Sequence, residues 1–261
     1  MQIPDAFLQM VQLNNFNHYR YFESTGSTNA DGLAWLAEGA PDGAFIFADH
    51  QSAGRGRSER KWVTNPDSSI AVSIIMRLND NEKEKIQLFS ALAGVALAIT
   101  LRNTYEIPAM IKWPNDVLIN NQKTAGILSE AAWDDQKLNG IVIGVGINIL
   151  PGAIPPQMSL QFPATCIQNH TTRQVNRFEI LSSFLQNLFL LRKEICKPSF
   201  INQWENLLAF REETVYIKEN DMTIYVGTVS GIESNGDLRL ISKEGMIKKF
   251  TAGDVHLRPA G

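Results

Sequence analysis

Asp49-His-Gln-Ser-Ala-Gly-Arg-Gly-Arg-Ser-Glu-Arg-Lys-Trp62 places Arg55, Arg57, Arg60 and Lys61 within seven residues, interleaves Gly54 and Gly56, and offsets the four cations with Glu59 alone. Nothing between Ala53 and Trp62 can bury apolar surface. Ordering costs roughly 1–2 kcal/mol per residue, so such a segment cannot fold on its own contacts. The glycines let the backbone approach a ligand, and guanidinium forks suit carboxylates and phosphates. Taken alone, the segment reads better as a solvated basic loop. A second constellation downstream changes that balance.

Ile111-Lys-Trp-Pro-Asn-Asp-Val-Leu-Ile119 is followed by Asn120-Asn121 and then Lys123-Thr-Ala-Gly-Ile-Leu-Ser-Glu130. Pro114 cannot continue a central ladder, which puts Asn115 and Asp116 at a strand end or bulge. Val117–Ile119 and Ile127–Ala131 read as two strands joined by a short Asn-Asn-Gln turn. Lys123 then stands near Asp116 across the hairpin. The pair is either an ordinary surface ion pair, worth little, or a lysine aimed at an anion beside a carboxylate able to hold nucleotide-borne magnesium.

These pieces together resemble the catalytic domain of biotin protein ligases. The matching residues are Ser27-Thr28-Asn29, Gln51 through Arg57, Arg60-Lys61-Trp62, Lys112 through Asp116, Lys123 with Gly126-Ile127-Leu128 and Glu130, and Gly144 through Asn148. They occur in the family's order over about residues 20 to 150, with a weaker match to the C-terminus. Ala125 departs from the pattern, since many relatives carry a second glycine there.

The resemblance implies an α+β fold: a mixed-sheet catalytic domain over residues 1–210 and a small SH3-like C-terminal β-barrel over 211–261. It implies a ligase that activates biotin with ATP as biotinyl-5'-AMP and passes it to a lysine of a biotin carboxyl carrier protein, such as an acetyl-CoA carboxylase subunit. Lys123, Arg57, Arg55 and Asp116 would be catalytic. Ser27, Thr28, Asn29, Gln51, Gly54, Arg55, Gly56, Arg57, Lys123 and Gly126 would contact biotin. Arg57, Arg60, Trp62, Lys112, Asn115, Asn148 and Arg258 would lie at the ATP. The protein alone would build no metal site, with Mg2+ arriving near Asp116. Relatives that also repress transcription carry an N-terminal helix-turn-helix, and only about twenty residues precede the first expected strand here, so a monofunctional chain is expected.

Composition agrees with a globular protein with a real core: 44% hydrophobic and 20% charged over 261 residues. A formal net charge of −3 offers no global attraction to nucleic acid, which makes the arginine-rich loop a local anion site. Cys166 and Cys196 have no metal or redox spacing and read as reduced thiols of a cytoplasmic protein. His18, His50, His170 and His256 form no zinc pattern. No signal peptide and no apolar run of transmembrane length is evident, so no membrane partner is expected, and a monomer or weak homodimer is.

Along the chain, strands are expected at 18–23, 44–48, 69–76 and 140–150, and helices at 30–37, 84–104, 177–195 and 198–209. Ser27 or Thr28 is the expected cap of the first helix, and Asn176 with Glu179 marks the start of the third. Five short strands after Arg211, separated by turns such as Ser234-Asn-Gly-Asp237, suggest the small barrel. Gly144-Val-Gly146 lacks both the third glycine and the following helix of a dinucleotide fingerprint, and no P-loop is present.

The chemistry fits the cations. Joining a carboxylate to an amine needs activation, and bringing a carboxylate to an α-phosphate meets charge repulsion that pre-placed positive groups relieve. The carrier lysine then supplies the nucleophile, so none is required from this chain. Two rivals remain: a lipoate–protein ligase, against which the loop with Arg60 and Trp62 argues, and a non-enzymatic ligand-sensing or RNA-binding module, against which the acidic net charge and the Lys123–Asp116 pair argue.

Overall fold

In the computed structural model, which describes residues 3–57, 60–135, 137–154, 163–219, 223–251 and 255–259, the apolar run Ser69–Met76 is a strand buried along its whole length. The elements in order are α1 (Asp5–Leu13), β1 (Tyr19–Thr25), α2 (Thr28–Ala37), β2 (Phe45–Gln51), β3 (Ser69–Met76), α3 (Asp80–Lys83), α4 (Phe89–Tyr105), β4 (Met110–Lys112), β5 (Asp116–Ile119), β6 (Gln122–Asp134), β7 (Lys137–Asn148), α5 (Arg177–Arg192), α6 (Pro198–Asn206), β8 (Thr214–Glu219), β9 (Thr223–Ile232), β10 (Leu238–Ile241), β11 (Ile247–Phe250) and β12 (Val255–Pro259). A seven-stranded sheet runs β1-β2-β3-β7-β6-β5-β4, with β1 and β2 parallel and the other pairs antiparallel. The fold is therefore α+β with a mixed sheet.

Strand alternation sorts the sheet into two faces of different character. Ile70, Val72, Ile74, Ile141, Ile143, Val145 and Ile147 join the large core that includes α4 and α5. The opposite face carries α2, where Leu36 packs with Ile46, Ile75 and Val142. Next to that contact the same face is lined by small residues in register: Ser73 beside Gly144, and Ala71 beside Gly146 beside Gly126. This strip of missing side chains leaves room for the site.

Several expected boundaries shift. The long helix begins at Phe89, because Ile86–Leu88 form a 3-10 turn after a separate helix capped reciprocally by Asn79 and Glu82. The stretch 86–105 also has the length and hydropathy of a membrane span, which corrects the sequence reading. Its apolar residues from Leu92 to Leu101, apart from the half-buried Ile99, are buried in the core, the ordinary position for such a helix in a globular protein. Helix α1 was not foreseen; it is short and enters after Pro4, and Phe7 anchors it in a ring cluster with Tyr21, Phe47 and Phe178. Asn176 caps α5 as expected, accepting from the amides of Phe178 and Glu179. Ser27 holds the extended N-cap position of α2 but its side chain makes no capping bond.

The C-terminal strands form an antiparallel sheet ordered β11-β10-β9-β8-β12. It is tied to the rest by Trp113 Nε1, which donates to Gly236 O at 2.9 Å, and by Glu205, which accepts from Ile232 N at 2.7 Å and pairs with Arg239 at 3.1 Å. Gly236 is required at the contact: its φ is 90° and a Cβ there would meet Leu88 at 2.8 Å.

A largely buried ion pair joins α5 to α3. Arg192 Nε lies 2.7 Å from Glu82 Oε1, and Nη1 lies 2.8 Å from Asp42 Oδ2. Burial pushes the Glu82 carboxyl up, but bonds from Arg192 and the Asn79 amide outweigh it and hold the group below its ordinary value of 4.5. A depressed folded-state value contributes stability above 4.5 that is lost as pH falls through the folded value. Glu82→Ala should therefore cost about 2–3 kcal/mol at pH 7 in urea denaturation, since removing one partner strands a buried charge while Asp42 still covers part of it. The deficit relative to wild type should shrink on acidification; a constant deficit would assign the loss to packing.

Candidate active site

The N-terminus of α2 builds one end of a slot on the small-residue face. The β1–α2 turn brings Thr28 against Gln51 at the end of β2: Thr28 N and Oγ1 lie 2.9 and 3.1 Å from Gln51 Oε1. Ser73 on β3 reaches up with its hydroxyl 2.8 Å from Thr28 Oγ1 and 2.6 Å from Asn29 Oδ1. Asn29 Nδ2 donates to Leu128 O at 3.1 Å and Glu130 Oε2 at 2.7 Å. The strand end carrying Gln51 is fixed from below, where Asp49 pairs with Arg177 at 2.5 Å and accepts from the Tyr21 hydroxyl. Burial, then the bond to Asp49, raise the Tyr21 phenol well above its ordinary value.

The β4–β5–β6 meander builds the other end. Asn120 and Asn121 adopt left-handed φ of 49° and 57°, as a tight hairpin turn requires, and Lys123 is the second residue of the strand that follows. A register shift opposite Val117/Leu118 leaves Thr124 as an extra residue, a bulge in β6. Lys123 Nζ lies 2.7 Å from Asp116 Oδ1, and Lys112 Nζ lies 3.8 Å from Asp116 Oδ2, with all three side chains at most a quarter exposed. Asn115 donates to Ile127 O at 2.7 Å and its Oδ1 accepts from Arg57 Nη1 at 3.2 Å.

The arginine-rich segment lies over the slot as a short hairpin. Arg55 bridges Lys61, Gly56 N donates to Arg60 O at 2.6 Å, and Trp62 N donates to Gly54 O at 2.9 Å. Gly54 is obligatory, since a Cβ there would sit 2.4 Å from Trp62 O. As the composition required, the contacts that hold it come from elsewhere: Arg55 Nη2 meets Glu130 Oε2 at 2.9 Å and Arg57 meets Asn115. The Trp62 indole lies directly on the glycine floor, where a Cβ at Gly146 would come within 2.2 Å of it and one at Gly126 within 3.1 Å. Its Nε1 is buried without a hydrogen-bond acceptor, and Lys123 Nζ lies 5.6 Å from the ring centroid.

The structure thus brings Thr28, Asn29, Gln51, Gly54, Arg55, Gly56, Arg57, Trp62, Lys112, Asn115, Asp116, Lys123 and Gly126 to one slot. Ser27 is buried at its edge, and Arg60 is exposed on the returning limb of the hairpin. Asn148 sits at the end of β7 with its amide committed to Thr165 O at 3.0 Å. Arg258 lies on β12 opposite Tyr216, and its side chain is outside the described residues, as are Ser58 and Glu59. Sequence reasoning gave no role to Ser73 or Glu130. A lone hydroxyl within Ile-Ala-Val-Ser-Ile-Ile was the available signal for the first. Among the described residues, no three His, Cys, Asp or Glu side chains converge as a metal site.

The slot has a hydrogen-bonding end at Thr28, Asn29 and Gln51 with the Arg55–Glu130 pair beside it, an uncharged narrow floor, and a far end where Arg57, Lys112 and Lys123 gather around Asn115 and Asp116. That polarity suits an elongated ligand with a polar head and an anionic tail. The family model described as "Biotin/lipoate A/B protein ligase family" matches residues 21–148, which carry nearly all of these side chains. The biotin--[acetyl-CoA-carboxylase] ligase of Mycobacterium tuberculosis is 40% identical over 90% of this chain and 87% of its own length. The bifunctional ligase/repressor BirA of Bacillus subtilis is 29% identical over 92% of this chain and 74% of its own. Among solved structures, the biotin protein ligase from Aquifex aeolicus in complex with biotin and ATP superposes with a TM-score of 0.79, 25% identity, and coverage of 94% of this chain and 100% of that one. Site, sequence and fold agree across most of the length: the chain belongs to the biotin/lipoate A/B protein ligase family.

Proposed function

We propose that this chain is a biotin protein ligase, which activates biotin with ATP and transfers the biotinyl group to a lysine. The observation that carries it is the two-ended slot, with neutral hydrogen-bonding groups at Thr28 and Gln51 and a cluster of cations around Lys123. A ureido ring asks for neutral donors and acceptors, and a carboxylate meeting a triphosphate asks for positive charge. Relatives named as biotin ligases, and neighbours solved with biotin and ATP or with biotinyl-5-AMP, support the same reading.

In the first step a biotin carboxylate oxygen attacks the α-phosphorus and pyrophosphate leaves. Lys123 and Arg57 neutralise charge gathering on the carboxylate and phosphate, and Lys112 adds to the field from the neighbouring strand. In the second step the acceptor lysine amine attacks the acyl carbon, AMP leaves and the amine gives up a proton. The hairpin over the slot shields the anhydride from water. Asp116 is a single carboxylate, which fits magnesium delivered on substrate phosphates rather than held in a protein cage, and magnesium there would neutralise phosphate charge. Lys123 and Lys112 keep that carboxylate from repelling the nucleotide before the ion arrives.

We read residues 1–210 as the catalytic domain and 211–261 as a small SH3-like barrel, supported by five antiparallel strands in a separate sheet. The acceptor would be a biotin carboxyl carrier domain, nucleic acid is not among the partners, and the protein would act in the cytoplasm as a monomer or weak homodimer. The deciding experiment is ATP–pyrophosphate exchange with biotin, lipoate or neither. Magnesium-dependent exchange driven by biotin is expected. Exchange driven only by lipoate would transfer the assignment to the related ligase, and none with either would leave a binding module.

A further inference from the structure

Asn29 lies in the slot and is held by three bonds to the protein. Its two amide hydrogens go to Leu128 O and Glu130 Oε2, and its oxygen lies 2.6 Å from the Ser73 hydroxyl, which has a proton to donate. Chemistry fixes that orientation: a flipped amide would aim its oxygen at a carbonyl and a carboxylate, neither of which has a hydrogen to give. Asn29 is buried, and both of its N–H donors and one lone pair of its oxygen are engaged within the protein. The same Glu130 oxygen that accepts from Asn29 accepts from Arg55 Nη2 at 2.9 Å. At the other side Ser73 touches Thr28, which touches Gln51. An unbroken run, Gln51–Thr28–Ser73–Asn29–Glu130–Arg55, therefore crosses the sheet face from the head end of the slot to the hairpin.

We propose that Ser73, Asn29 and Glu130 are positioning residues that hold Arg55, and with it the arginine-rich hairpin, in fixed relation to the head end; the inference rests on the biotin-ligase reading above. The physical need is clear from the hairpin. Arg55 is a long, partly exposed side chain on a segment with no apolar anchor before Trp62. Left to itself it samples many rotamers, and each must be given up on binding. A carboxylate whose own position is set by a buried amide removes that freedom beforehand, and the charge-assisted bond is stronger than a neutral one. The run also explains why a hydroxyl stands at Ser73 between Val72 and Ile74.

The test uses Glu130→Gln, Ser73→Ala and the double variant in the full chain. Glu130→Gln keeps the shape and an acceptor for Asn29 but loses the charge that holds Arg55. The KM for biotin in pyrophosphate exchange should rise about tenfold with the KM for ATP little changed. Ser73→Ala should raise it by a smaller factor, and the double variant should fall short of the product, because both substitutions act through Asn29. Hydrogen exchange of residues 54–57 in ligand-free protein should quicken in Glu130→Gln while the α4 core is unaffected. Unchanged exchange there, or strictly multiplicative effects on KM, would overturn the relay. Absence of biotin-dependent exchange in wild type would instead defeat the ligase reading, and the ligand-free exchange measurement would still decide the relay.

Discussion

Lys123→Gln should leave the fold intact and lower the rate of biotin-dependent adenylate formation by about 10²–10³. Lys123 Nζ stands 2.7 Å from Asp116 Oδ1 beside the glycine floor at Gly126, where an added Cβ would touch it at 3.1 Å. It is therefore the cation set closest over the narrow floor, at the end of the slot where a carboxylate and a phosphate must meet. A preorganised charge acts most strongly on charge that develops during reaction, so the loss should fall on kcat more than on KM. Glutamine keeps a polar side chain without the charge. Asp116 keeps Lys112 as a counter-ion, which limits the structural cost, and thermal denaturation should show a change of only a few degrees. Single-turnover formation of biotinyl-AMP, followed by quench, is the measurement. Wild-type rates would make Lys123 a bystander that merely balances Asp116, and an unfolded variant would make the ion pair structural.

Much of this was legible in the sequence because the informative residues are ones that apolar packing cannot explain. Four cations and two glycines without an apolar neighbour, or Asn-Asp directly after Trp-Pro, demand a ligand or a turn. The strand positions followed from apolar runs, and the Asn120-Asn121 turn from residues that tolerate left-handed backbone. The sheet order was less accessible: β3 beside β7 is a pairing between segments more than sixty residues apart, and no local signal encodes it. The two sides of Asn29 were hidden for the same reason. Ser73 and Glu130 come to it from β3 and β6, and only the alternation of three paired strands puts them on one face. Trp113 shows the reverse case. It sits in the Lys-Trp-Pro-Asn-Asp motif among expected site residues, yet it is a fully buried ring whose Nε1 ties the main sheet to the C-terminal one. Its neighbours Lys112, Asn115 and Asp116 face the slot because Trp113 faces away.

Gly144→Ala should damage the head end of the slot more than any other single added methyl. The Cβ would lie 2.0 Å from Asn29 Oδ1 and 2.7 Å from its Cγ, far inside contact distance. Many glycines could absorb a methyl by letting a flexible side chain swing aside, but Asn29 is short, buried and held at once by Ser73, Leu128 O and Glu130. Moving it breaks those bonds or drives α2 away from the sheet, and Thr28 on the same helical turn moves with it. Overpacking of this kind costs typically 1–3 kcal/mol, so the variant should fold but melt several degrees lower. A displacement of about 1 Å at a positioning group can cost 10²-fold, so kcat/KM for biotin should fall by about that factor. Two comparisons separate site from scaffold. Gly126→Ala adds a methyl 3.1 Å from the end of Lys123 and from the Trp62 ring, far from the clamped Asn29 amide, and should be milder at the head end. In Gly144→Ala itself the KM for ATP should change little, because the clash lies at the end remote from Lys123. If ATP and biotin were affected equally, the methyl would be acting through the sheet as a whole, and Asn29 would not be the element that transmits it.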